Sequence, residues 1–489
     1  MGARMIDRAK RLHFVGIGGV GMSAIAHVLI ARGYAVSGCD LRSSDATQRL
    51  AALGAPIAVG HDAAHIDTAD VVVASRAVPD LNEEIVTARL RGIPVHHRAQ
   101  VLAEIMAGGF GIAVVGTHGK TTTAAMTAHV LASGGLDPTA LIGAEVGGLN
   151  GNVRLGQGRY VVAEVDESDG SLLFVRPTAA VVTSLDITDH RDHYRTMDRL
   201  LHTFTAFLET IDPNGFVVLC VDHRHVRTLV PRVPAKVLTY GLTPGADYTA
   251  TLRAQAGRAT HCVIRRGGRP LGPVTLNVPG RYNVRNALAA CAVALEVGMP
   301  FGEIAGALAT FPGVSRRFSV RGEVDGIMVV DDYAHNPIKI AAVLRAAREA
   351  WPDRRVVAIF QPHRYTRTKT TYRNYAHVFG DASELIVTEL YPADEAPIPG
   401  VSARMIVDVV EPHRPVTYIP DMHVIVDDLL PRLRAGDIVL TLGAGDIGAV
   451  ADQLVARLRS GAGTPAPAPG TVGGVPPAPR VTDPLAEGR

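Results

Sequence analysis

The sequence predicts an α/β protein of about three domains, each a parallel sheet with helices between its strands. Three observations carry this. The chain has 489 residues, and roughly 100–200 residues make one domain. Short, continuously apolar runs recur with helical segments between them, the pattern of strands buried on both faces. Two glycine-rich turns, Gly16 to Gly21 and Gly116 to Gly119, each follow such a run and open a helix.

Composition narrows the class. With 47% apolar and 20% charged residues the chain is neither disordered nor fibrous. A net charge of +2, from 49 basic and 47 acidic residues, removes the bulk electrostatic basis for nucleic acid or an anionic membrane as main partner. Lysine is scarce: Lys10, Lys120, Lys236, Lys339 and Lys369 are the only five. Cys39, Cys220, Cys262 and Cys291 stand far apart without paired spacing, so they read as packed thiols of a reducing compartment rather than a metal or disulfide framework. No stretch reaches the about 18 to 20 apolar residues of a membrane span, and Met1 to Lys10 lacks a signal peptide's apolar run. The expectation is a soluble cytoplasmic protein.

Taken in order, residues 12–17 form a strand, 22–31 a helix ended by Gly33, and 34–39 a second strand, a βαβ unit. Residues 71–74 and 94–96 extend the same sheet, with a helix over 82–91. Gly108 and Gly109 mark a boundary, after which strands are expected over 112–115, 160–165, 179–184 and 216–221, and a helix over 124–131. Residues 246–278 alternate apolar and polar between glycine turns, a small antiparallel excursion. The apolar helix 286–297 stops at Gly298 and Pro300. Beyond Pro312 and Gly313 a third set follows, with strands over 327–330, 355–360, 385–388 and 437–442. From Gly461 the sequence is Gly, Pro, Ala and Thr in low complexity, a disordered tail by composition.

The chemistry sits where these strands end. Gly116-Thr117-His118-Gly119-Lys120-Thr121-Thr122 places backbone N–H groups and a helix N-terminus around phosphate oxygens. There Lys120 can bridge phosphates and a threonine hydroxyl can hold Mg²⁺. Val114 stands where the general P-loop has its first glycine. Gly16-Ile17-Gly18-Gly19-Val20-Gly21, with Asp40 at the end of the next strand, fits a dinucleotide fingerprint, which leaves NAD and other diphosphates open. Glu164, Asp166, Glu167 and Asp169 follow a strand beside the P-loop, as a Mg²⁺ site requires. Asp186, Asp189, His190, Asp192 and His193 crowd a later turn, making His190 a candidate ligand for a second Mg²⁺. In the third set, Asp331 to Pro337 and Phe360 to Thr368 follow strands, and Arg364 and Arg367 are spaced to face one anion or carboxylate. Arg316 and Arg317 are similar, and Gly443 to Ile447 forms a third glycine turn.

Together these segments resemble the ATP-dependent Mur ligases. The resemblance spans residues 11–458 and rests on residues 13–22, 116–123, 164–169, 279–287, 315–318, 331–337, 361–368 and 443–447, in the family's order. It implies a Rossmann-like UDP-sugar-binding domain over residues 1–108 and a central P-loop ATPase domain over 109–313 whose parallel sheet carries the antiparallel excursion. A Rossmann-like amino-acid-binding domain over 314–460 follows, and the tail 461–489 lies outside. The implied activity joins L-alanine to the carboxylate of UDP-N-acetylmuramate through an acyl phosphate, releasing ADP and phosphate, for peptidoglycan precursors. ATP and Mg²⁺ are the implied cofactors.

By position, Lys120, Glu164, His190, His335, Arg364 and Arg367 resemble the catalytic set, with Thr121, Glu164 and His190 as metal ligands. Gly116, Thr117, His118, Gly119, Lys120, Thr121, Thr122, Asn283, Asn286, Arg317 and Asp332 would meet ATP. Gly16, Gly18, Gly19, Gly21, Asp40 and Ser75 would meet the UDP-sugar. Tyr282 stands where members often have histidine, and Lys339 where they often have an acid. Sister ligases use a carbamylated lysine at the second metal, yet no lysine lies between Lys120 and Lys236. Three rivals share parts of this pattern: a ligase adding another amino acid or a peptide to the same sugar, an NAD-binding oxidoreductase, which leaves the P-loop unexplained, and a GTPase, whose Asn-Lys-x-Asp is absent.

Overall fold

Three sheets organise the chain. The computed structural model describes residues 10–147, 151–188 and 191–461, the side chains of 191 and 192 excepted. The expected disorder of 461–489 therefore falls, past Gly461, outside the described residues.

The first sheet has five parallel strands in the order Ile57–Val59, Ala35–Asp40, Arg11–Val15, Val71–Ala74, Val95–His97. The chain winds outward from the central strand in both directions, so the crevice where an α/β sheet takes ligands opens above Arg11–Val15. A Cβ at Gly38 would lie 2.7 Å from the Phe14 carbonyl oxygen, so only glycine lets the two strands and Ile17 pack. Alternation sorts the faces: Leu12 and Phe14 join one apolar cluster, Val15 another with Cys39, Ile66, Val72 and Ala88.

The second sheet has ten strands. Six are parallel: Thr139–Leu141, Tyr160–Glu164, Phe110–Val115, Ala179–Val182, Phe216–Cys220 and Lys236–Tyr240. The antiparallel excursion is real, as Tyr248–Ala256, Ala259–Arg266 and Arg269–Leu276, and it continues this same sheet through the Tyr240–Tyr248 bridge. One face packs helices Lys120–Ser133, Arg281–Glu296 and Phe301–Ala309. The other face shares a single apolar cluster with the first domain, one that includes Leu12, Ile25 and Leu102 as well as Val182 and Phe204.

The third sheet runs Ser319–Val324, Ile327–Asp332, Asp437–Leu442, Arg355–Phe360, Glu384–Val387, Thr417–Tyr418, antiparallel only at its first pair. Apolar clusters cover both faces. It meets the central domain where Gly257 N–H donates to the Ala350 carbonyl at 3.2 Å.

Two helices begin earlier than their apolar pattern indicates. Lys120–Ser133 opens on Lys120 and three threonines, and Arg281–Glu296 carries Asn283 and Asn286 in its first turns. Lys120 to Thr123 and Asn283 read as loop, yet most of them are buried, and Thr123 and Asn283 are both hydrogen-bonded to Asn286. All four cysteines are buried and unpaired. Among the described residues, no helix is long and apolar enough to cross a membrane.

Leu288 is fully buried in the helix that packs on the central sheet beside the P-loop helix. Leu288→Ala is expected to cost roughly 2–5 kcal/mol, read as a lower thermal midpoint; an unchanged midpoint would contradict this packing.

Candidate active site

The P-loop is clamped before any ligand arrives. Strand Phe110–Val115 runs into Gly116 at φ +121°, where a Cβ would lie 2.4 Å from Thr183 Oγ1 and 2.8 Å from the Ser184 amide nitrogen. Thr117 N–H donates to the Ser184 carbonyl (3.0 Å), His118 N–H to Ser184 Oγ (2.8 Å), and Asp186 N–H to Thr117 Oγ1 (3.0 Å). The loop is thereby tied to the end of the neighbouring strand. Gly119, at φ +83°, caps helix Lys120–Ser133 without a side chain, leaving its first N–H groups for a ligand.

Asn283 and Asn286 stand at this same helix end. Thr123 Oγ1 donates to Asn286 Oδ1 (3.1 Å), Asn286 Nδ2 to Asn283 Oδ1 (3.1 Å), and Asn283 Nδ2 to the Pro279 carbonyl (2.7 Å). A Cβ on Gly119 would come within 3.0 Å of Asn286 Oδ1. Both amides thus fasten helix Arg281–Glu296 to the loop. Thr122 is buried beside them.

Acidic groups surround the lysine. Lys120 Nζ lies 2.9 and 2.8 Å from the two oxygens of Glu167. Burial works to lower the Lys120 pKa, but Glu167, Asp166 and Glu164 outweigh it and the ammonium is held above its ordinary value. Thr121 Oγ1 donates to Glu164 Oε1 (3.1 Å), whose other oxygen accepts Gly143 N–H (2.8 Å). A hydroxyl beside carboxylates is a hard oxygen donor set, which fits Mg²⁺. Asp189 and His190 lie outside the described residues, as does the Asp192 side chain; His193 stands against Gly170, whose Cβ would be 3.2 Å from His193 Nε2.

The first glycine turn opens on the same space. Gly16, at φ +77°, and Ile17 donate N–H bonds to the Cys39 carbonyl, Gly18 N–H donates to Asp40 Oδ2 (2.8 Å), and Gly19 caps helix Val20–Ala31. A Cβ at Gly18 would come within 2.9 Å of Asp40 Oδ2. Ser75 follows strand Val71–Ala74 in a turn closed by Val78 N–H to its carbonyl (3.1 Å). Arg98 bridges the domains: its guanidinium donates to Asp166 Oδ2 (2.9 Å) and lies 2.9 Å from where a Gly21 Cβ would be. Gly21, Arg98, Lys120, Gly143, Glu164 and Asp166 line one cleft of about 250 Å³. Arg98 carried no sequence signal, since only the fold brings it to Asp166. Glu167 and Ser184 lay within segments already singled out but had no assigned role.

A second group gathers at the carboxyl ends of the third sheet. Asp332 accepts N–H bonds from Phe318 and Ala334, both 2.7 Å. Burial pushes its carboxyl up to about 6, against the pull of Arg317. Tyr282 of the central domain faces this pair; burial, then Asp332, raise its phenol. The Arg317 and Arg316 guanidinium carbons lie 4.7 and 5.2 Å from the Tyr333 ring centre, and Arg316 donates to the Gly443 carbonyl (2.8 Å). His335 Nδ1 meets the Tyr333 carbonyl at 2.8 Å, and its ring lies 5.7 Å from that of His363. Arg367 donates to His363 Nδ1 (3.1 Å). Arg364 sits in the left-handed region at φ +71°, its amide bonded to the Tyr391 carbonyl and its guanidinium to Glu395 at 2.6 Å. The two arginines thus flank His363, with Arg364 already holding a carboxylate.

Three family models match successive parts of the chain. Residues 11–109 match the Mur ligase family catalytic domain, 114–294 the Mur ligase middle domain, and 316–445 the Mur ligase glutamate ligase domain. The chain is 50% identical over 457 residues to UDP-N-acetylmuramate–L-alanine ligase of Geotalea daltonii, covering 93% of this chain and 99% of that one. It is 49% identical over 458 residues to the enzyme of that name from Geobacter sp. strain M21, covering 93% and 99%. Among solved structures, UDP-N-acetylmuramate-alanine ligase of Thermotoga maritima superposes with a TM-score of 0.80 at 31% identity, over 92% of this chain and all of that one. A murein peptide ligase of Psychrobacter arcticus shares the fold at TM-score 0.67 and 24% identity, over 92% and 99%.

Burial, then Arg367 and Arg364, push the His363 imidazole down to about 4. Its ring resonances are expected to stay those of the neutral form until about pH 4. Because the unfolded chain takes up this proton near 6.5, the stability His363 contributes is present above that pH and is lost as pH falls from 6.5 toward 4. Arg367→Gln should move the titration upward; a wild-type midpoint near 6.5 would contradict the arrangement.

Proposed function

The chain belongs to the Mur ligase family, and on that premise we infer how its three domains divide one reaction. It is an ATP-dependent ligase that joins L-alanine to the carboxylate of UDP-N-acetylmuramate, releasing ADP and phosphate, in peptidoglycan synthesis. The observation that carries this is the convergence of two glycine turns, about a hundred residues apart in the chain, on one cleft between Gly21, Arg98, Lys120 and Glu164. That cleft suits one reactant with a diphosphate and another with a triphosphate. Residues 1–108 take the UDP-sugar, 109–313 the ATP and 314–460 the amino acid.

A carboxylate is inert to amines until one oxygen becomes a leaving group. The UDP diphosphate rests at the N-terminus of helix Val20–Ala31, against the Gly18–Gly19 turn, with Asp40 and Ser75 beside it. The sugar carboxylate then reaches past Gly21 toward Arg98 and Lys120. The ATP phosphates lie along Gly116 to Thr122, and Lys120 exchanges Glu167 for them. Asn286 and Asn283 hold the nucleotide side of this loop in place, while Arg317, Asp332 and Tyr282 close it from the third domain. Attack of the carboxylate oxygen on the γ-phosphorus breaks the bond to ADP and forms an acyl phosphate. The neutral amine of L-alanine adds to its carbonyl, and the tetrahedral intermediate expels phosphate, which takes up the proton the amine loses. Lys120 and Arg98 offset the charge that otherwise repels one anion from another.

Thr121 and Glu164 would hold Mg²⁺, which when bound neutralises phosphate oxygens; His190 is the proposed ligand of a second ion. Arg364 and Arg367 would receive the L-alanine carboxylate, Arg364 exchanging Glu395 for it. His335, whose ring stands 5.7 Å from that of His363 between those two arginines, would orient the amine.

Phosphate release from ATP is expected only when UDP-N-acetylmuramate and L-alanine are both present; an unchanged rate without the sugar nucleotide would end the ligase reading. Lys120→Ala should abolish turnover while UDP-sugar binding, measured by calorimetry, persists. Arg364→Ala is expected to raise the KM for L-alanine more than that for ATP, and the reverse pattern would move this arginine to the nucleotide.

A further inference from the structure

The face of the first sheet turned away from the central domain buries a second cluster of reactive side chains. His13 comes from strand Arg11–Val15, Cys39 from Ala35–Asp40 and Glu84 from helix Glu83–Leu90. Alternation turns His13 to the same side as Val15, where Glu84 and Ala88, one helical turn apart, cover the sheet. All three are buried, Cys39 and Glu84 completely, and one ligand atom from each lies within 4.8 Å of the others.

The contacts converge on the carboxylate. Cys39 Sγ is 3.0 Å from Glu84 Oε2, and His13 Nε2 is 3.4 Å from the same oxygen. His61 Nδ1 lies 3.3 Å from Cys39 Sγ and 3.4 Å from Glu84 Oε1. His65 Nδ1 and Asp62 N–H hold Glu84 Oε1 from outside at 2.9 and 3.1 Å. His13 Nε2 is buried and makes no hydrogen bond, while its Nδ1 is fixed by Ser37 Oγ at 2.9 Å. One ring nitrogen anchored and the other aimed into a pocket of thiol and carboxylate is how metal-binding imidazoles are oriented.

The spacing has a chemical meaning. Bonds of about 2.0–2.3 Å from Zn²⁺ to nitrogen, oxygen and sulfur give tetrahedral edges of about 3.3–3.8 Å. The contacts of 3.0 to 3.4 Å, from Cys39 and His13 to Glu84 Oε2 and from His61 to Cys39 Sγ and Glu84 Oε1, are close to such edges, and the ligand atoms of His13, Cys39 and Glu84 lie within 4.8 Å of one another. A thiol with two imidazoles selects a borderline-soft cation, in contrast to the all-oxygen set around Thr121.

We propose that His13 Nε2, Cys39 Sγ, a Glu84 oxygen and His61 Nδ1 form a buried site for a Zn²⁺-class divalent cation, separate from the ATP cleft. Binding forms the metal–sulfur bond as the Cys39 thiol gives its proton to solvent, with no change of oxidation state. The Cys39 carbonyl receives the Gly16 and Ile17 N–H groups, so a cation at its sulfur braces the glycine turn assigned to the UDP-sugar.

The test uses the untagged full-length chain, stripped with a chelator and titrated with Co²⁺ and then Zn²⁺. One equivalent of Co²⁺ should bind with tetrahedral visible absorption and a near-ultraviolet thiolate-to-cobalt band, release one proton, and be displaced by one equivalent of Zn²⁺ but not by Mg²⁺. Cys39→Ser should lose the thiolate band, Cys220, Cys262 and Cys291 being retained, and Ser37→Ala should weaken the affinity roughly 10–100-fold. No stoichiometric binding by the wild-type chain, Co²⁺ bound without a thiolate band, or a band that survives Cys39→Ser would each overturn the proposal. The wild-type titration decides the matter even if a variant fails to fold, and because no nucleotide is present, failure here leaves the ligase assignment untouched.

Discussion

A single ammonium among carboxylates governs this molecule. Lys120 is held against Glu167 with Glu164 and Asp166 nearby, and Arg98 from another domain answers Asp166. A buried ion pair repays its desolvation poorly as a source of stability. Its value lies in keeping a positive charge inside the cleft until phosphate oxygens replace the carboxylate. The P-loop clamp to Ser184, the N–H groups after Gly119 and the Glu164–Thr121 pair all place groups around that one charge. Lysine scarcity elsewhere in the chain is consistent with this: most cationic positions are arginines that fork toward carboxylates and carbonyls.

The domains are joined unequally. The first and central domains share a continuous apolar cluster, which sets the distance between the two glycine turns. The third domain meets the central one through narrower contacts, among them the Gly257–Ala350 and Ser315–Glu145 hydrogen bonds, the approach of Gly280, at φ +95°, to Ala346, and Tyr282 against Asp332. Such a junction can alter while the cleft between the other two stays intact, as is required of a domain that brings in the last reactant.

Much of the site was legible because its chemistry is local. A strand, a glycine turn and a helix occupy a dozen consecutive residues, so the P-loop, the first glycine turn and the Asp331 to Pro337 segment could be read directly. Helix starts were missed where Thr121 to Thr123 and Asn283 looked like loop, since burial against another helix overrides their propensity. The strands Ile57–Val59, Lys236–Tyr240 and Ser319–Val324 are short or polar and gain their identity from neighbours. Arg98 was invisible because its partner lies 68 residues away. The cysteines read as inert packing because Cys39 has no nearby cysteine or histidine in sequence; its companions arrive from another strand, a turn and a helix. His190 stays an inference from sequence alone.

The shared core between the first two domains has a consequence for how the protein can be divided. Helices Val20–Ala31 and Arg98–Ala107 turn apolar surface toward strands of the central domain, within one continuous apolar cluster. Cut at the Gly108–Gly109 boundary, the N-terminal segment would present that surface to water, an adhesive patch rather than a finished exterior. The borders of sequence similarity and the borders of cooperative folding therefore do not coincide. The smallest piece with a closed exterior is the nucleotide-binding pair taken together, and the pair is the natural cassette for grafting, swapping or tethering this architecture.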